Sequence, residues 1–420
     1  MNILTTPDIL IIGAGSAGVA AAVGAGSAGA SVVLLEKNGF PGGKATAAYV
    51  GTVCGLYYRS ENPVSRLVNN GFPESFAGEL MERSKIKPVL YKDGLHFLPY
   101  SQFQFMRICD ELAKKNTDAL CFHSHVIDAA VEDNKITSVD ALYFNKRVRF
   151  FPKAIIDTSG EAVIASTIPL DAITSDQYQA AAQVFVLSGL ADSSDELLGM
   201  SLLRSIKKGI SDGSYNPEHI RLSVVPGSVR NGQVLLKLGI PLRVDNDPAH
   251  ITDIELFSRK AIEEILVFLK QHNELFKNAH LAMIAPEAGI RTGPRHKGKS
   301  LLNESDVMNC IKSVDSIARG AWPIEYWEPG KNPEMGFFEM DNYYDIPAGA
   351  LQSYKIENLF FAGRNISADD KAIASARVIG TCLATGYAAG KLAAGFVKKQ
   401  STDATLSAIR NELFAPTNVI

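Results

Sequence analysis

The chain has 420 residues, 46% of them hydrophobic and 21% charged, as expected for an ordinary globular protein with two domains or one large interrupted domain. Its formal net charge of −3 argues against a broad nucleic-acid-binding surface. No apolar run reaches the length of a membrane span, and the N-terminal apolar stretch lacks the basic segment of a signal peptide.

The five cysteines are scattered along the chain without a C-x-x-C pair. This spacing excludes a thioredoxin-like redox pair and a local zinc site, and it indicates a reducing, cytoplasmic compartment. The histidines at 123, 125 and 250 show no metal-ligand spacing either, so we predict no metal site.

The first predicted elements are a strand, a glycine-rich turn and a helix. An apolar run over 8–12 enters Gly13-Ala14-Gly15-Ser16-Ala17-Gly18, and Glu36 closes a second apolar run over 31–35. Glycines at this turn let the backbone approach a pyrophosphate at the N-terminus of the helix. The position of Glu36 fits that of the acid that binds a ribose hydroxyl pair in such folds. This order of features predicts dinucleotide binding.

The same six letters recur over positions 24–29. No strand precedes this second copy, and no room remains for another helix before Glu36. We therefore interpret it as the small packing face of the first helix, which ends near Gly29.

Further along the chain the pattern predicts hairpins, a buried strand and two helices, of which the first is well marked. An amphipathic helix should begin with a capping box of Thr252 and Glu255. The other predicted elements are a hairpin of 89–91 with 95–97, strands 125–131 and 136–143, a turn at 145–146, a strand at 154–156 ending in Asp157-Thr158-Ser159-Gly160, a hairpin at 231–232, a strand at 359–363 and a helix from near Gly380 to Val397.

The N-terminal turn fits NAD, NADP and FAD, and three other segments favour FAD. Residues 42–46 can cross a second stretch of cofactor, the strand at 154–156 ends beside it, and residues 359–365 return to the first fold before the helix near Gly380. A small nicotinamide cofactor can bind without this late segment at the first fold, whereas an extended FAD needs it there. A helix N-terminus beside the flavin would stabilise the negative charge that develops there on reduction.

These segments resemble those of the FAD-dependent oxidoreductase family, within the wider glutathione-reductase-type flavoproteins. The resemblance covers most of the chain in the family's order and implies bound FAD. It rests on GAGSAG (13–18), PGGKATAAYVGTVCGLY (41–57), IIDTSGEA (155–162), IARGAWPIEYW (317–327), YYDIPAGAL (343–351) and residues 357–390.

The predicted cofactor-binding residues combine the motif positions with those implied by the resemblance, which places Val126 at the adenine through its backbone. They are Gly13, Gly15, Ser16, Ala17, Gly18, Glu36, Lys37, Gly42, Gly43, Lys44, Ala45, Thr46, Val126, Ser159, Gly160, Gly363, Arg364, Gly380 and Thr381. One segment departs from the family's usual G-I-R-E-S-R-R, since residues 289–295 read G-I-R-T-G-P-R.

The predicted fold class is α/β: an FAD-binding Rossmann-like domain with three layers (β, β and α), interrupted by an α+β substrate domain. The first part of the FAD domain is residues 1–175, the substrate domain is 176–344, and residues 345–420 complete the FAD domain.

Four side chains are candidates for the chemistry. Arg291 and Arg295, in a short basic stretch suited to one small anion, could clamp a substrate carboxylate or belong to a structural loop. Arg377 could face the flavin or, as we prefer, pair with an acid, and Tyr344 could reach a ring-proximal oxygen or simply pack. For Cys54 and Cys382 we favour the role of small buried hydrophobes over a redox role.

The predicted function is an FAD-dependent oxidoreductase that exchanges hydride or electrons with a small, anionic organic substrate. No second G-x-G-x-x-G follows a strand, so a separate NAD(P)H domain is not evident. The alternatives are a flavin monooxygenase and a flavoprotein subunit of an RNA-modification or redox-sensing complex. We expect no nucleic-acid or membrane partner, and the oligomeric state stays open.

Overall fold

A computed structural model describes residues 4–415 of the protein. Its strands are β1 (Ile9–Ile12), β2 (Val32–Leu35), β3 (Thr52–Val53), β4 (Val89–Leu90), β5 (His96–Pro99), β6 (Ala119–Cys121), β7 (Ser124–Glu132), β8 (Lys135–Tyr143), β9 (Lys146–Phe150), β10 (Ala154–Asp157), β11 (Ala172–Ile173), β12 (Ala182–Ser188), β13 (Leu222–Val224), β14 (Gln233–Gly239), β15 (His280–Ile284), β16 (Arg295–His296), β17 (Ser316–Gly320), β18 (Ile324–Tyr326), β19 (Glu334–Gly336), β20 (Tyr344–Pro347) and β21 (Leu359–Phe361). Its α-helices are α1 (Ser16–Ser27), α2 (Lys44–Ala47), α3 (Phe72–Ser84), α4 (Gln102–Asn116), α5 (Val163–Thr167), α6 (Asp195–Asp212), α7 (Pro248–His272), α8 (Glu304–Met308), α9 (Asp370–Ala376), α10 (Ile379–Val397) and α11 (Thr402–Leu413).

A five-stranded parallel sheet in the order β21-β10-β1-β2-β6 organises the nucleotide-binding part. Strands β1, β2 and β10 are buried at every position, because helices cover one face of the sheet and the antiparallel strands β7, β8 and β9 cover the other. Strand β21, near the C-terminus, pairs with β10 and so completes a sheet begun at residue 9. The predicted α/β, Rossmann-like fold class is confirmed.

Helices α1 and α10 pack backbone against backbone on one face of this sheet. A Cβ atom added at Gly24 would lie 2.3 Å from the Tyr387 carbonyl oxygen. On the facing helix, a Cβ at Gly386 would lie 2.1 Å from the Ala17 carbonyl oxygen. The second GAGSAG copy is therefore a packing face of α1, which ends at Ser27 before Gly29 at φ +73°, as predicted.

A four-stranded antiparallel sheet, β13-β14-β12-β15, forms the middle of the chain. Helices α6 and α7 cover one face of it, where alternate residues of β14 such as Leu236 and Leu238 join their apolar core. Because side chains alternate along a strand, Leu235 and Lys237 point to the opposite face. That face borders the cavity described below.

The predicted hairpins are present, but the predicted start of α7 is wrong. The helix begins at Pro248, before the expected capping box, and its N-cap is Asp247, whose side chain accepts the Ala249 N–H. The Thr252 hydroxyl instead donates to the Pro248 carbonyl, and Glu255 accepts the Ala288 N–H. A proline at the first helical position preceded by an aspartate is the stronger initiation signal.

The division into domains at 175 and 344 stays a prediction. Leu302, Val307 and Ile324, in the predicted substrate domain, belong to the same apolar cluster as Ile9 and Leu383 of the nucleotide-binding part. None of the helices within residues 4–415 combines the length and the apolar character needed to cross a bilayer. The cytoplasmic location likewise stays a prediction.

Candidate functional site

A cleft lies at the carboxyl ends of the parallel strands, where ligands bind in open α/β sheets. Its walls come from the ends of β1, β2, β10 and β21 and from the start of α10. The lining residues are Gly13, Gly15, Ser16, Ala17, Glu36, Lys37, Asn38, Gly42, Gly43, Lys44, Ala45, Thr158, Ser159, Gly160, Glu161, Glu287, Gly363, Arg364, Arg377, Ile379 and Cys382.

The glycine turn leaves the N-terminus of α1 open to this cleft. Gly13 has φ +94°, and a Cβ there would lie 2.8 Å from the Thr158 carbonyl oxygen. At Gly15 an added Cβ would meet only Gly43, at 3.8 Å, so the turn faces open space. No described side chain caps α1, and its first turn holds no acidic residue. The free N–H groups and the positive end of the helix dipole suit a pyrophosphate.

Glu36 ties the second strand to the glycine turn. One carboxylate oxygen accepts the Ala14 N–H at 2.7 Å and the other accepts the Asn38 N–H at 2.8 Å. Burial raises the pKa of Glu36, although both backbone donors act in the opposite direction. The side chain therefore shapes the turn besides standing where a ribose hydroxyl pair would lie.

We expect Glu36→Gln to weaken FAD binding by about tenfold, since one hydrogen bond to a charged group contributes roughly 1.5 kcal/mol. The amide replaces one acceptor oxygen by an NH₂ group that faces a backbone N–H. Titration of apoprotein with FAD, followed by quenching of flavin fluorescence, measures the change. Glu274→Gln is the matched control, since Glu274 lies outside the cleft lining and its ion pair is with Lys277, at 3.5 Å on the surface. Equal affinities of the two variants would contradict this role.

The predicted cofactor residues divide into two groups. Those that line the cleft are Gly13, Gly15, Ser16, Ala17, Glu36, Lys37, Gly42, Gly43, Lys44, Ala45, Ser159, Gly160, Gly363 and Arg364. Those outside its lining are Gly18, Thr46, Val126, Gly380 and Thr381.

Most of this second group supports the cleft from behind. A Cβ at Gly18 would lie 1.8 Å from the Gly13 carbonyl oxygen, and one at Gly380 would lie 2.4 Å from the Leu56 nitrogen. The Thr46 hydroxyl donates to the Pro41 carbonyl at 2.7 Å and holds the adjoining turn. Thr381 is fully buried, and its Oγ1 has no partner among the described residues. Val126 pairs with Ala141 in the β7–β8 hairpin, and its adenine contact stays a prediction.

Sequence reasoning missed several lining residues, namely Asn38, Thr158, Glu161, Glu287 and Ile379. Asn38, Thr158, Glu161 and Ile379 each directly neighbour a predicted position, so a wider window around each motif would have included them. No sequence motif marks Glu287, because it reaches the cleft from the middle of the chain. Its carboxylate pairs with Lys44 at 2.8 Å.

Asp157, at the end of β10, organises the floor of the cleft. Its fully buried carboxylate accepts from the Ser159 N–H and hydroxyl, the Ile164 N–H, the Asn365 amide and His296 Nε2, the last at 2.9 Å. Burial raises the pKa of Asp157, but the hydrogen bond and charge of His296, together with the Ser159 and Ile164 donors, hold the pKa below its ordinary value. These bonds position the Ser159–Gly160 loop of the cleft.

We expect Asp157→Asn to destabilise the protein by about 3 kcal/mol, because breaking a buried charged network leaves donors unpaired. Since the folded pKa is lowered, the carboxylate stabilises the fold above the unfolded pKa of about 3.9 and loses this contribution as the pH falls through the folded value. Denaturant unfolding at pH 7 and at pH 3 measures both effects. A wild type whose advantage over the variant is undiminished at pH 3 would contradict this account.

A second cavity of about 190 Å³ adjoins the cleft. The two share Lys44, Arg364, Arg377 and Ile379. The other lining residues of this second cavity are Ala48, Val50, Thr52, Cys54, Ala182, Val184, Lys237, Gly289, Ile290, Arg291, Glu325, Trp327 and Val378. It is smaller than the pockets that enclose drug-sized ligands, so it suits a small molecule.

The charges of this cavity are mostly positive. Five of its lining side chains are basic (Lys44, Lys237, Arg291, Arg364 and Arg377) and one, Glu325, is acidic. Burial lowers the pKa of Arg291 to about 9, and it also lowers the pKa values of Lys237 and Arg377. An anion in the cavity would remove this cost, because it would stabilise the charged forms of the cations.

Glu325 is held by both tryptophans of the chain. Its two carboxylate oxygens accept the indole N–H groups of Trp322 and Trp327, each at 3.0 Å. Burial raises the pKa of Glu325, yet the charges of Arg377, Lys237 and Arg291 and the Trp322 hydrogen bond together lower it below its ordinary value. The ring centre of Trp327 in turn lies 4.5 Å from the Arg291 guanidinium carbon.

Among the predicted catalytic residues, Arg291 and Arg377 reach the cavity and the other two do not. Arg295 is 1% exposed, and it donates to Asp370 at 2.6 Å and to the Ala368 carbonyl. Tyr344 is fully buried, with its hydroxyl 2.7 Å from the Ser375 hydroxyl. Both lie inside the structural core and away from the lining, so neither can clamp a ligand there.

The two cysteines at 54 and 382 both lie at the site. Cys54 lines the cavity and Cys382 lines the cleft, and burial raises the pKa of each thiol to about 12. Thiols with such values are protonated at neutral pH and are poor nucleophiles. This protonation state fits the interpretation as small buried hydrophobes.

The residues present fit FAD. The open N-terminus of α1 suits the pyrophosphate, Glu36 suits the adenosine ribose, and the unpartnered Thr381 Oγ1 lies in the first turn of α10. No described side chain caps α10 and its first turn has no acidic residue, so the positive end of its dipole faces the junction of cleft and cavity.

Comparison with known protein families settles the assignment. The model of the FAD dependent oxidoreductase family matches residues 8–413. The chain belongs to this family. It is accordingly an FAD-dependent oxidoreductase, and FAD is its cofactor.

Solved structures of flavoenzymes are similar to this chain at low sequence identity. An anhydrotetracycline hydroxylase from Streptomyces rimosus is 9% identical and has the same fold, with a TM-score of 0.50 over 96% of this chain and 65% of that one. A geranylgeranyl bacteriochlorophyll reductase-like protein from Thermoplasma acidophilum is 12% identical, with a TM-score of 0.48 over 98% and 85% of the two chains. No curated protein matches the sequence. For this flavoenzyme, the substrate must be inferred from the site.

Proposed function

We propose that this FAD-dependent oxidoreductase acts on a small anionic organic molecule bound in the cationic cavity beside the flavin. The single observation that carries the proposal is the charge of that cavity, five basic side chains against one carboxylate. The small volume and the planar donor groups of Arg291 and Arg377 support a carboxylate as the anionic group.

When bound, FAD supplies a two-electron acceptor or donor that reacts with substrate by hydride transfer. The protein's own residues bind and orient the substrate anion and exclude water from it. Arg377 lines both the cleft and the cavity, and Gln179 Oε1 accepts from its guanidinium at 3.2 Å, which restricts its orientation. Arg377 would therefore hold the substrate at the junction with the cofactor.

The first test is the visible spectrum of the purified protein, followed by anaerobic addition of small carboxylic acids and their neutral amides. Bleaching of the flavin by an acid and not by its amide would support the proposal. Bleaching by neutral compounds alone would contradict it.

The same samples separate the alternatives. A monooxygenase would bleach with NAD(P)H and consume oxygen when its substrate is present. A flavoprotein subunit that serves a partner would be reducible by dithionite and inert toward every small acid.

A further inference from the structure

We infer that the substrate of this cavity is a dianion, with one negative group held by Lys237 and Arg291 and the second held by Arg377. The inference rests on the proposed function and narrows its substrate class. It follows from which cations of the cavity already have partners and which do not.

Two of the five cations are engaged elsewhere. Lys44 pairs with Glu287 at 2.8 Å. Arg364 lines the cofactor cleft beside Gly160, and its counter-charge there is Glu161, whose pKa its charge helps to lower. Neither is needed for a substrate anion deeper in the cavity.

The remaining three cations lack sufficient counter-charge. Lys237 has no side-chain hydrogen bond or ion pair with any residue in the range 4–415. Arg291 donates to the uncharged Ala180 carbonyl, and the Nε of Arg377 is buried without a partner among the described residues. Glu325 is the one carboxylate among the described lining residues, so three positive charges face one negative charge and two stay unbalanced.

Unbalanced buried charge is costly, and a ligand that supplies the missing charge recovers that cost on binding. A monoanion would leave one of the two charges unbalanced, whereas a dianion balances both. The zwitterionic and neutral classes of substrate fit less well still, because they bring no net charge.

The three cations form two sets that differ in which space they line. Lys237 and Arg291 line the substrate cavity and not the cleft, and both lie against the Trp327 ring system, with the ammonium 5.2 Å from the ring centre. Arg377 differs from both in lining the cleft as well as the cavity, and its guanidinium donates to Gln179 Oε1 at 3.2 Å. A short dicarboxylate, or a carboxylate with a second acidic group, would present one negative group to each set.

The experiment compares ligands that differ by one charge. FAD-loaded protein is titrated at constant ionic strength with malonate, succinate and glutarate and with the monomethyl ester of each. Binding is followed by the flavin difference spectrum and by tryptophan fluorescence, which reports on Glu325 and its two indole donors. We expect at least one diacid to bind tenfold or more tightly than its own monoester.

Variants of Lys237 then test whether this residue causes the preference for a diacid over its monoester. Lys237→Met should make the diacid and its monoester bind equally, and Lys237→Arg should keep the preference. Lys270→Met, on the exposed side of α7, is the control and should behave as wild type. If Lys237→Met loads no FAD, Lys237→Gln replaces it.

The outcomes distinguish the two proposals. Equal binding of every diacid and its monoester in the wild type would overturn the dianion inference and leave the anion-binding cavity intact. A preference for the diacid that persists in Lys237→Met would overturn the assignment of one negative group to Lys237 and Arg291. Absence of any signal with all six ligands would overturn both this inference and the proposed function.

Discussion

Gly386→Val is expected to abolish the folded, FAD-loaded protein. The added Cβ would lie 2.1 Å from the Ala17 carbonyl oxygen, where an ordinary contact begins at 3.4 Å. The obstacle is backbone, so no rotamer change relieves it, and α10 must move away from α1. Because α1 carries the glycine turn and α10 begins at the junction of cleft and cavity, this movement disrupts both ends of the cofactor site.

The measurement is the ratio of flavin to protein absorbance after purification, together with thermal unfolding followed by flavin fluorescence. The matched control is Gly199→Val, since Gly199 also lies within a helix but an added Cβ there meets nothing within 4 Å. We expect the control to retain FAD and to melt near the wild-type temperature. A Gly386→Val protein that does the same would contradict the backbone-to-backbone packing of the two helices.

Arg377→Met is expected to slow reduction of the flavin by substrate about 100-fold, the usual effect of removing one preorganised charged donor from an active site. The side chain lies where the cavity meets the cleft, and its charge would stabilise both the substrate anion and the negative charge of a reduced flavin. The flavin midpoint potential should accordingly fall in the variant.

Anaerobic stopped-flow reduction measures the rate, and equilibration with a reference dye measures the potential without any need for substrate. Arg204→Met, on the exposed face of α6, is the control and should change neither quantity. An unchanged potential in Arg377→Met would place this guanidinium away from the flavin and would leave it only a role in binding substrate.

The cofactor cleft could be predicted from the sequence because its determinants are local. A strand, a glycine turn and an acid lie between Ile9 and Glu36, and together they specify where the Glu36 carboxylate lies. The strand that ends at Asp157 likewise fixes the position of the loop that follows it. In each case the short motif encodes a backbone conformation, and that conformation places the residues of the motif at the cleft.

The substrate cavity could be predicted only in part, because its residues come from distant segments and meet through tertiary packing. Arg291 and Arg377 stand out in the sequence, but nothing local distinguishes them from Arg295, whose guanidinium pairs with Asp370. Lys237 resembles any polar residue of a β-hairpin. Only the sheet, with helices on its other face, shows that this ammonium points into the cavity.

The pairing of β21 with β10 has a consequence for how the protein is made. Residues 155–157 find their neighbours at 359–361, about 200 residues later in the chain. During synthesis the edge of β10 therefore stays unpaired until the ribosome has released β21. Contacts this far apart in sequence fold slowly and leave an open strand edge as a site for aggregation. The five-stranded sheet can therefore be completed only after β21 has left the ribosome.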